Sequence, residues 1–301
     1  MAPPRLISLG LAVVLLSGCA QRSEPPTHGL FNVGGGRSLF LDCQGSGSPT
    51  VFIIPGKGSY AEAWNVVVAP DDPIRSSPYD IIEQARLGPS PDAVQPTLAR
   101  HSRVCAYDRP NTRPDGADRS TPTPQPHSLG ADVDDIVALI GAARLSGPFV
   151  VVAHSYGGLI ADLLARTHPE LISCLVMVDP VSEFLPALGS PAQNSAFDRD
   201  GRVPAIPNGE ALLYDDAFGT VGTAPPLPNV PAAVMSSGKF VPPSMLTPDN
   251  YTQAQIHRSN DMLADALHAT NHVVDDSGHN IMLYDPAAVV GTVLNNCGQR
   301  A

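Results

Sequence analysis

The stretch VVVAHSYGGLIA, residues 150–161, places a serine where one apolar pattern gives way to another. The β-branched and small residues before Ser155 form a continuous apolar run, which indicates a strand buried on both faces. The residues after it predict a helix. Ala153 and Gly157, two positions before and after the serine, are small enough for a sharp turn with strained backbone angles. The stretch therefore predicts a strand, a tight turn that exposes the serine Oγ, and a helix.

Apolar runs and helical patterns alternate along the rest of the chain. The runs predicted as strands are SLFLDCQG, TVFIIPG, RVCAYDR, FVVVAHS, CLVMVDP, PAAVMSSG and NHVVDDSG. Helical spacing is found in SLGADVDDIVALIGAARL, where Ser128 can cap the first turn, and in YGGLIADLLARTHPE, YTQAQIHRSNDMLADALHAT and DPAAVVGTVLNN. This alternation predicts an α/β fold with a mostly parallel, doubly wound sheet.

Two long stretches interrupt the alternation. Residues 60–100 and about 181–230 both follow predicted strands at the same edge of the sheet, where ligands bind in open α/β folds. We interpret the second as a small cap. The first is interpreted as an ordered loop packed beside the cap, because it contains Tyr60, Tyr79 and the only tryptophan, Trp64.

Composition and charge restrict the domain count and the kind of partner. The 301 residues are 43% hydrophobic, which is enough for one sizeable core, and the length fits one large domain better than two. The formal net charge is −11, and an acidic chain without a basic cluster argues against nucleic acid as a partner.

The first residues predict an export signal rather than a part of the fold. Arg5 precedes a short apolar run that cannot span a membrane but suits a secretory signal. The run ends in LSGC, which resembles a bacterial lipobox and implies a signal peptide over 1–18 and lipidation of Cys19. Residues 19–36 are then expected to be a tether, and 37–301 a domain held by a membrane anchor outside the cytoplasm. An ordinary secretory signal, which would give a secreted protein, is the alternative.

Export also changes what the cysteines indicate. Cys43, Cys105, Cys174 and Cys297 remain, and an even number in an oxidising compartment suggests two disulfides. Three pairings are possible. We favour Cys43 with Cys105, which lie in predicted strands, and Cys174 with Cys297, which would fasten the last helix. Four buried free thiols are the alternative. The cysteines lack metal-ligand spacing, so no zinc site is expected.

Four motifs resemble those of the α/β-hydrolase family over about residues 37–298. They are the AHSYGG turn, a strand end YDR, LVMVDP, and SGHNI near the C-terminus. The resemblance implies an eight-stranded, mostly parallel sheet flanked by helices, and a catalytic triad in the chain order serine, acid, histidine. It assigns the nucleophile to Ser155 and the general base to His279, which follows the last predicted strand. We expect the side chain of His154 to point away from the site.

The acid of the triad is less clearly marked. Many members of the family carry it after the seventh strand of the fold, but here that place reads SSGKFVPP, with no acid until Asp249. Asp179 ends the sixth strand in VMVDP, where some hydrolases of this fold place their acid. We therefore favour Asp179, with Asp249 as the second choice. The structural alternative for Asp179 is an aspartate that caps a helix or a loop.

The resemblance also suggests where an oxyanion would bind. One backbone N–H is expected from Tyr156, the residue after the serine, and a second from the loop IIPGKGSY. Its best match is the N–H of Lys57, between Gly56 and Gly58, although proline stands where relatives often have histidine. The Lys57 side chain is either solvated or favours anionic substrates, and the sequence does not decide between the two.

This arrangement predicts a serine hydrolase that cleaves a small carboxylic ester through an acyl-enzyme. A serine nucleophile excludes the aspartate-nucleophile branches, which include epoxide hydrolases and haloalkane dehalogenases. No feature calls for a metal or an organic cofactor. We expect a mostly apolar pocket formed by Tyr60, Trp64, Tyr156 and Phe184. Hydrolysis of amide, peptide or C–C bonds, and a non-catalytic envelope binding lipoprotein, are the alternatives.

Overall fold

The computed structural model describes residues 27–113 and 120–298. The strands are β1 (His28–Gly34), β2 (Arg37–Gln44), β3 (Val51–Ile54), β4 (Val66–Val68), β5 (Leu87–Pro89), β6 (Val104–Asp108), β7 (Phe149–His154), β8 (Ile172–Val178), β9 (Ala232–Ser237) and β10 (Asn271–Val274). The helices are α1 (Val94–Leu98), α2 (Leu129–Ala142), α3 (Tyr156–Thr167), α4 (Leu185–Leu188), α5 (Pro191–Gly201), α6 (Tyr214–Thr223), α7 (Gln253–Ala266), α8 (Ile281–Tyr284) and α9 (Pro286–Cys297). The predicted signal peptide and the predicted lipidation site at Cys19 lie outside the described residues.

Eight strands form one sheet in the order β1–β2–β6–β3–β7–β8–β9–β10. β2 pairs antiparallel with both β1 and β6, and the other neighbouring strands are parallel. β4 and β5 form a separate antiparallel pair. The α/β fold and the mostly parallel eight-stranded sheet predicted from the sequence are therefore confirmed. The carboxyl ends of the parallel strands share one edge, so the loops that follow them meet there.

Both faces of the sheet are buried, which explains why its strands are continuous apolar runs. In β3, Val51 and Ile53 belong to the core on one face, whereas Phe52 and Ile54 belong to the core on the other. Residues of α2, α3, α6 and α7 cover the second face, and residues of α1, α8 and α9 cover the first. Successive side chains of a strand point to opposite faces, so each strand supplies both cores.

The predicted tether over 19–36 is wrong in its second half, because residues 28–34 form the edge strand β1. Exposure alternates along β1, with Phe31 and Val33 packed against the core. Gly34 ends β1, and glycines 34–36 all have positive φ values, which lets the chain turn tightly into β2. The sequence pattern did not indicate this strand, because an edge strand with one solvated face has fewer apolar residues than a strand buried on both faces.

The four helices predicted from the sequence form as α2, α3, α7 and α9, close to their predicted limits. Ser128 Oγ accepts the N–H of Ala131 at the start of α2, as expected of a cap, and α3 ends at Thr167, just before Pro169. Helices α4, α5 and α6 lie between β8 and β9, within the segment predicted as a cap. Across the described ranges, no helix combines the length and the apolar character needed to cross a membrane.

The first insertion, residues 60–100, is ordered as expected. It contains short 3₁₀ turns, the β4–β5 pair and α1. Trp64, Val68 and Ile74 are buried in the core on the α9 face of the sheet. The Arg75 guanidinium fastens the insertion further, because it donates to the carbonyls of Val68, Ala69 and Tyr284 over 2.6–3.0 Å.

Two disulfides cross-link the fold in the pairing that the sequence favours. Cys43 on β2 is joined to Cys105, its register partner on β6. Cys174 on β8 is joined to Cys297, the last residue of α9. The first bond connects two neighbouring strands, and the second fastens the C-terminal helix to the sheet.

We predict that replacing either pair of cysteines by alanine lowers the free energy of unfolding by about 2–4 kcal/mol. The cause is the larger conformational entropy of the unlinked unfolded chain. The paired cysteines are 123 residues apart for Cys174–Cys297 and 62 for Cys43–Cys105. A doubling of loop length is worth only about 0.6 kcal/mol, so the two double variants should be similarly destabilised. Urea denaturation of both checks this, and an unchanged midpoint in either would contradict it.

Candidate active site

Ser155 is the single residue between β7 and α3, and its backbone is strained. Its φ of 53° and ψ of −123° lie outside the regions that a residue with a Cβ normally adopts. Its N–H donates to the carbonyl of Val178 at 3.3 Å, and its carbonyl accepts the N–H groups of Gly158 and Val181 at 2.8 and 2.9 Å. The end of β8 therefore braces the serine turn on both sides.

Two glycines allow the loop after β3 to lie directly on this turn. A Cβ on Gly157 would collide with the carbonyl oxygen of Ile54. A Cβ on Gly56 would lie 2.7 Å from His154 Nδ1 and 2.9 Å from Ser155 Cβ. All of these approaches are closer than van der Waals contact. A side chain at Gly157 would displace the backbone of the loop, and one at Gly56 would displace His154 or Ser155.

Asp179 follows β8 and forms a hydrogen-bonded pair with His279. His279 Nδ1 lies 2.7 Å from Asp179 Oδ2. The same carboxylate accepts the N–H of Ser237 at 3.0 Å on Oδ1 and the hydroxyl of Ser237 at 2.9 Å on Oδ2. Asp179 is 4% exposed, so these donors replace the water that an ionised carboxylate would otherwise bind. Ser237, the last residue of β9, was not singled out in the sequence.

The two partners shift each other's pKa in opposite directions. Burial raises the pKa of Asp179, but the hydrogen bond and charge of His279, together with Ser237, outweigh it and lower the pKa. Burial lowers the pKa of His279, but Asp179 and the charge of Asp80 outweigh it and raise the pKa. The site therefore favours an ionised aspartate beside a histidine that holds a proton more firmly than free imidazole. Asp249, the second choice for this position, is exposed and is not among the residues around the site.

A second carboxylate, Asp80, holds the histidine loop from the first insertion. Its Oδ2 accepts the backbone N–H of His279 at 2.7 Å, and its Oδ1 accepts the hydroxyl of Tyr284 at 2.9 Å. Its own N–H donates to the carbonyl of Phe240 at 2.9 Å. Asp80 thus joins the insertion, the loop after β9 and the loop after β10. Sequence reasoning missed this residue, since nothing in the local pattern of 60–100 marks it.

His154 does not point away from the site as expected. Its Nε2–H donates to the carbonyl of His279 at 3.0 Å, and the two ring centroids are 4.6 Å apart. Burial and the neighbouring charge of His279 lower the pKa of His154 to about 3, so its ring is neutral. The buried neutral ring lies beneath the histidine loop and supports it.

A cavity of about 320 Å³ opens over Ser155, Asp179 and His279. Each cap helix contributes one apolar side chain to it: Leu185 from α4, Phe197 from α5 and Tyr214 from α6. The rest of its lining is formed by Asp80, Ile82, Glu83, Pro180, Val181, Ser237, Lys239, Phe240, Val241, Gln253, Ile256, His257, Ser259 and Asn280. A larger depression of about 840 Å³ is lined by residues such as Ser48, Gly147 and Ser173, at the opposite ends of the strands, and it does not include Ser155.

The pocket residues expected from the sequence do not line this cavity. Trp64 is 1% exposed and belongs to the core on the α9 face. Tyr60 packs against the guanidinium of Arg113, and Phe184 packs against the other core. The Tyr156 hydroxyl donates to Asp132 at 2.7 Å inside the protein. Aromatic character alone therefore did not distinguish core residues from pocket residues.

The Lys57 side chain is half-buried and bonds to the segment between β8 and β9 rather than lining the cavity. Its Nζ donates to the carbonyls of Asp200 and Val203, at 3.0 and 2.8 Å, where α5 ends. Partial burial lowers the pKa of Lys57 despite the charges of Glu210 and Asp200. This contact connects the loop after β3 to the cap.

Comparison with known families agrees with the fold. The model of the alpha/beta hydrolase family matches residues 51–292, which include Ser155, Asp179 and His279. The chain belongs to this family.

Individual relatives are distant or match only a short segment. This alpha/beta hydrolase is 38% identical over 60 residues to the lipase LipV of Mycobacterium tuberculosis, which is 20% of this chain and 23% of that protein. It spans less than a quarter of the length of the curated relatives it matches. A hydrolase from Pseudomonas aeruginosa PA01 matches 90% of this chain and 98% of its own, with a TM-score of 0.58 and 18% identity. An esterase from Thermogutta terrifontis matches 90% and 97%, with a TM-score of 0.56 and 15% identity.

We predict that Asp80→Asn lowers the pKa of His279. The negative charge of Asp80 stabilises the imidazolium, whereas an asparagine amide oxygen can still accept the backbone N–H. The other groups facing the ring, Asp179 and His154, stay in place. NMR titration of the imidazole measures the change, with Glu83→Gln as the control because Glu83 lines the same cavity. An unchanged or higher pKa in Asp80→Asn would contradict the assigned charge effect.

Proposed function

We propose that this hydrolase cleaves small carboxylic esters with Ser155 as nucleophile, His279 as general base and acid, and Asp179 as the acid of the triad. The hydrogen bond of 2.7 Å between Asp179 and His279 carries the proposal, because this pair and the strained Ser155 line the same cavity. The arrangement has the chain order and the parts of a serine hydrolase.

In the proposed reaction, Ser155 Oγ attacks the carbonyl carbon of the ester while its proton moves to His279 Nε2. The described residues contain no hydrogen bond between these two side chains, and we expect it to form when substrate enters. The tetrahedral intermediate then expels the alcohol, which takes the proton from His279. Water gives a proton to the same imidazole and attacks the acyl-enzyme. The bond between the acyl carbon and Ser155 Oγ then breaks, the serine takes the proton from His279, and the carboxylic acid leaves.

Asp179 would act through the histidine. Its bond to Nδ1 keeps the proton on that nitrogen, which leaves Nε2 free to accept the proton of Ser155. Its charge also stabilises the imidazolium that forms in each step. The low pKa of the buried carboxylate supports this role, because the aspartate stays ionised while the histidine titrates.

The developing oxyanion would be bound by backbone N–H groups of Tyr156 and Lys57. Tyr156 is the first residue of α3, where amide N–H groups have no acceptor within the helix and the helix dipole favours negative charge. Lys57 belongs to the loop whose Gly56 lies against Ser155. Donors fixed in place before the reaction stabilise the transition state without reorganisation.

The size and lining of the cavity favour a small, largely apolar substrate. A volume of about 320 Å³ is at the lower end of the range of about 300–1,000 Å³ for small-molecule sites. Leu185, Phe197 and Tyr214 would contact the apolar part of the ester. We therefore propose short esters as first substrates.

We also propose that the protein acts in the cell envelope, as a lipid-anchored protein or in secreted form. Two disulfides in the fold support an oxidising compartment. Lipidation is expected at Cys19. The mass of the mature chain from its native host tests this, because an unmodified Cys19 would exclude the anchor.

We predict that Ser155→Ala lowers kcat for p-nitrophenyl butyrate by about 10⁶-fold and Asp179→Asn by about 10⁴-fold. The first removes the nucleophile, and the second removes the charge that orients and stabilises His279. Asp249→Asn is the matched control and should retain nearly full activity, because Asp249 lies on the surface.

The outcomes separate the alternatives. Near-normal turnover by Asp179→Asn together with loss in Asp249→Asn would move the acid to Asp249. Labelling of Ser155 by a fluorophosphonate without ester turnover would point to amide or C–C bonds. Neither labelling nor turnover in the wild type would favour a binding protein.

A further inference from the structure

We propose that a buried ion pair, Arg109 with Glu210, positions the oxyanion loop, which we define as residues 55–58. In this assignment, Arg109 turns the Lys57 N–H toward the reacting carbonyl, and Glu210 fixes the same loop to the cap. The inference rests on the proposed function, because the orientation of this N–H matters only if an oxyanion forms at Ser155. Both are positioning residues, since neither lines the cavity above the serine.

The Arg109 guanidinium is held almost entirely by the loop and by Glu210. Nη1 donates to the carbonyl of Pro55 at 2.6 Å and Nη2 to the carbonyl of Gly56 at 2.5 Å. Nε donates to Glu210 Oε1 at 2.6 Å. Arg109 is 1% exposed, so water does not compete for these donors. Burial alone would lower the pKa of Arg109, but the Glu210 carboxylate outweighs it, and the guanidinium remains charged.

Peptide geometry converts these bonds into an orientation of the Lys57 N–H. In a trans peptide, the carbonyl of one residue and the N–H of the next point in opposite directions. The cis peptides among the described residues all precede prolines, at Pro49, Pro126 and Pro148, so the bond between Gly56 and Lys57 is trans. Because the Gly56 carbonyl faces the buried guanidinium, the Lys57 N–H faces the other way, out of the core.

Glu210 removes the competing donor of the loop. Its Oε2 accepts the N–H of Gly58 at 2.6 Å and a second bond from Arg109 Nη2 at 3.2 Å. The Gly58 N–H is therefore occupied and does not compete with the Lys57 N–H for an oxyanion. Glu210 precedes α6, so this contact also joins the loop to the cap.

The same guanidinium contacts the residue that supplies the other N–H. Arg109 Cζ lies 5.6 Å from the centre of the Tyr156 ring. The Tyr156 hydroxyl is fixed in turn by Asp132. One buried charge thus lies behind both proposed halves of the oxyanion hole, and a change in its position would alter the distance between the two N–H groups.

Three variants test the assignment: Glu210→Gln, Arg109→Lys, and the double variant Arg109→Met with Glu210→Met. The double variant removes both charges, so it leaves no unpaired buried charge that would favour unfolding. Asp135→Asn is the control, because Asp135 forms a part-buried pair with Arg37 that lies outside the cavity lining. Thermal unfolding of each variant identifies those that fold.

The readouts are kcat and KM for p-nitrophenyl butyrate and the inhibition constant of a trifluoromethyl ketone, which forms an oxyanion when serine adds to it. We expect folded Arg109 and Glu210 variants to lose about 10²-fold in kcat with KM nearly unchanged, since loss of one such donor costs about 10²–10³-fold. The affinity for the ketone should fall in parallel with kcat. Asp135→Asn should lower the unfolding temperature and leave kcat and the inhibition constant unchanged.

Two further results would overturn the assignment in distinguishable ways. Folded Arg109 and Glu210 variants that keep kcat and ketone affinity within about twofold of the wild type would show that the pair supports only the fold. A wild-type protein that neither hydrolyses esters nor binds the ketone would overturn the proposed function, and this inference with it.

Discussion

The backbone turn at Ser155 is the constraint on which the rest of the site depends. A left-handed serine is unfavourable by itself, and it persists because neighbouring segments hold it from both sides. The end of β8 bonds to its N–H and to its carbonyl, and Asp179 lies between the two bonding residues, Val178 and Val181. The bonds that maintain the strain therefore also fix the distance from the serine to the acid. Gly56 closes the turn from the side of β3.

The protonation state of the Asp179–His279 pair that stabilises the fold differs from the state that the proposed reaction needs. Asp179 has a lowered pKa, so its contribution to stability is present above the unfolded value of about 3.9 and is lost as the pH falls through the folded value. His279 has a raised pKa, so its contribution is complete below about 6.5 and is lost as the pH rises through the folded value. Acyl transfer needs ionised Asp179 and neutral His279. The proposed active form thus exists at pH values where the charged pair no longer stabilises the fold.

Much of this arrangement could be predicted because it is local. The serine turn, the buried strands and Asp179 at the end of a strand all depend on residues close together in the sequence. Asp80 could not be predicted, because its partner His279 is 199 residues away and no short pattern encodes that contact. The direction of the His154 side chain and the burial of Trp64 were predicted wrongly for a related reason. Composition indicates that a side chain is apolar or titratable, whereas the face toward which it points is decided by tertiary packing.

Hydrogen bonds between the cap and the oxyanion loop restrict which segments can move to open the site. Lys57 donates to the end of α5, and Glu210, just before α6, accepts from Gly58. A movement of α5 or α6 away from the sheet would break bonds to the loop that carries the proposed oxyanion donor. Such a movement would also leave Arg109 and Glu210 partly unpaired in a buried environment, which is costly. On the other side of the cavity, the Asp80 N–H donates to the Phe240 carbonyl, and Lys239 Nζ donates to the carbonyl of Arg75. Movement of the loop after β9 away from the first insertion would break these two bonds, so hydrogen bonds between segments hold the cavity on both sides.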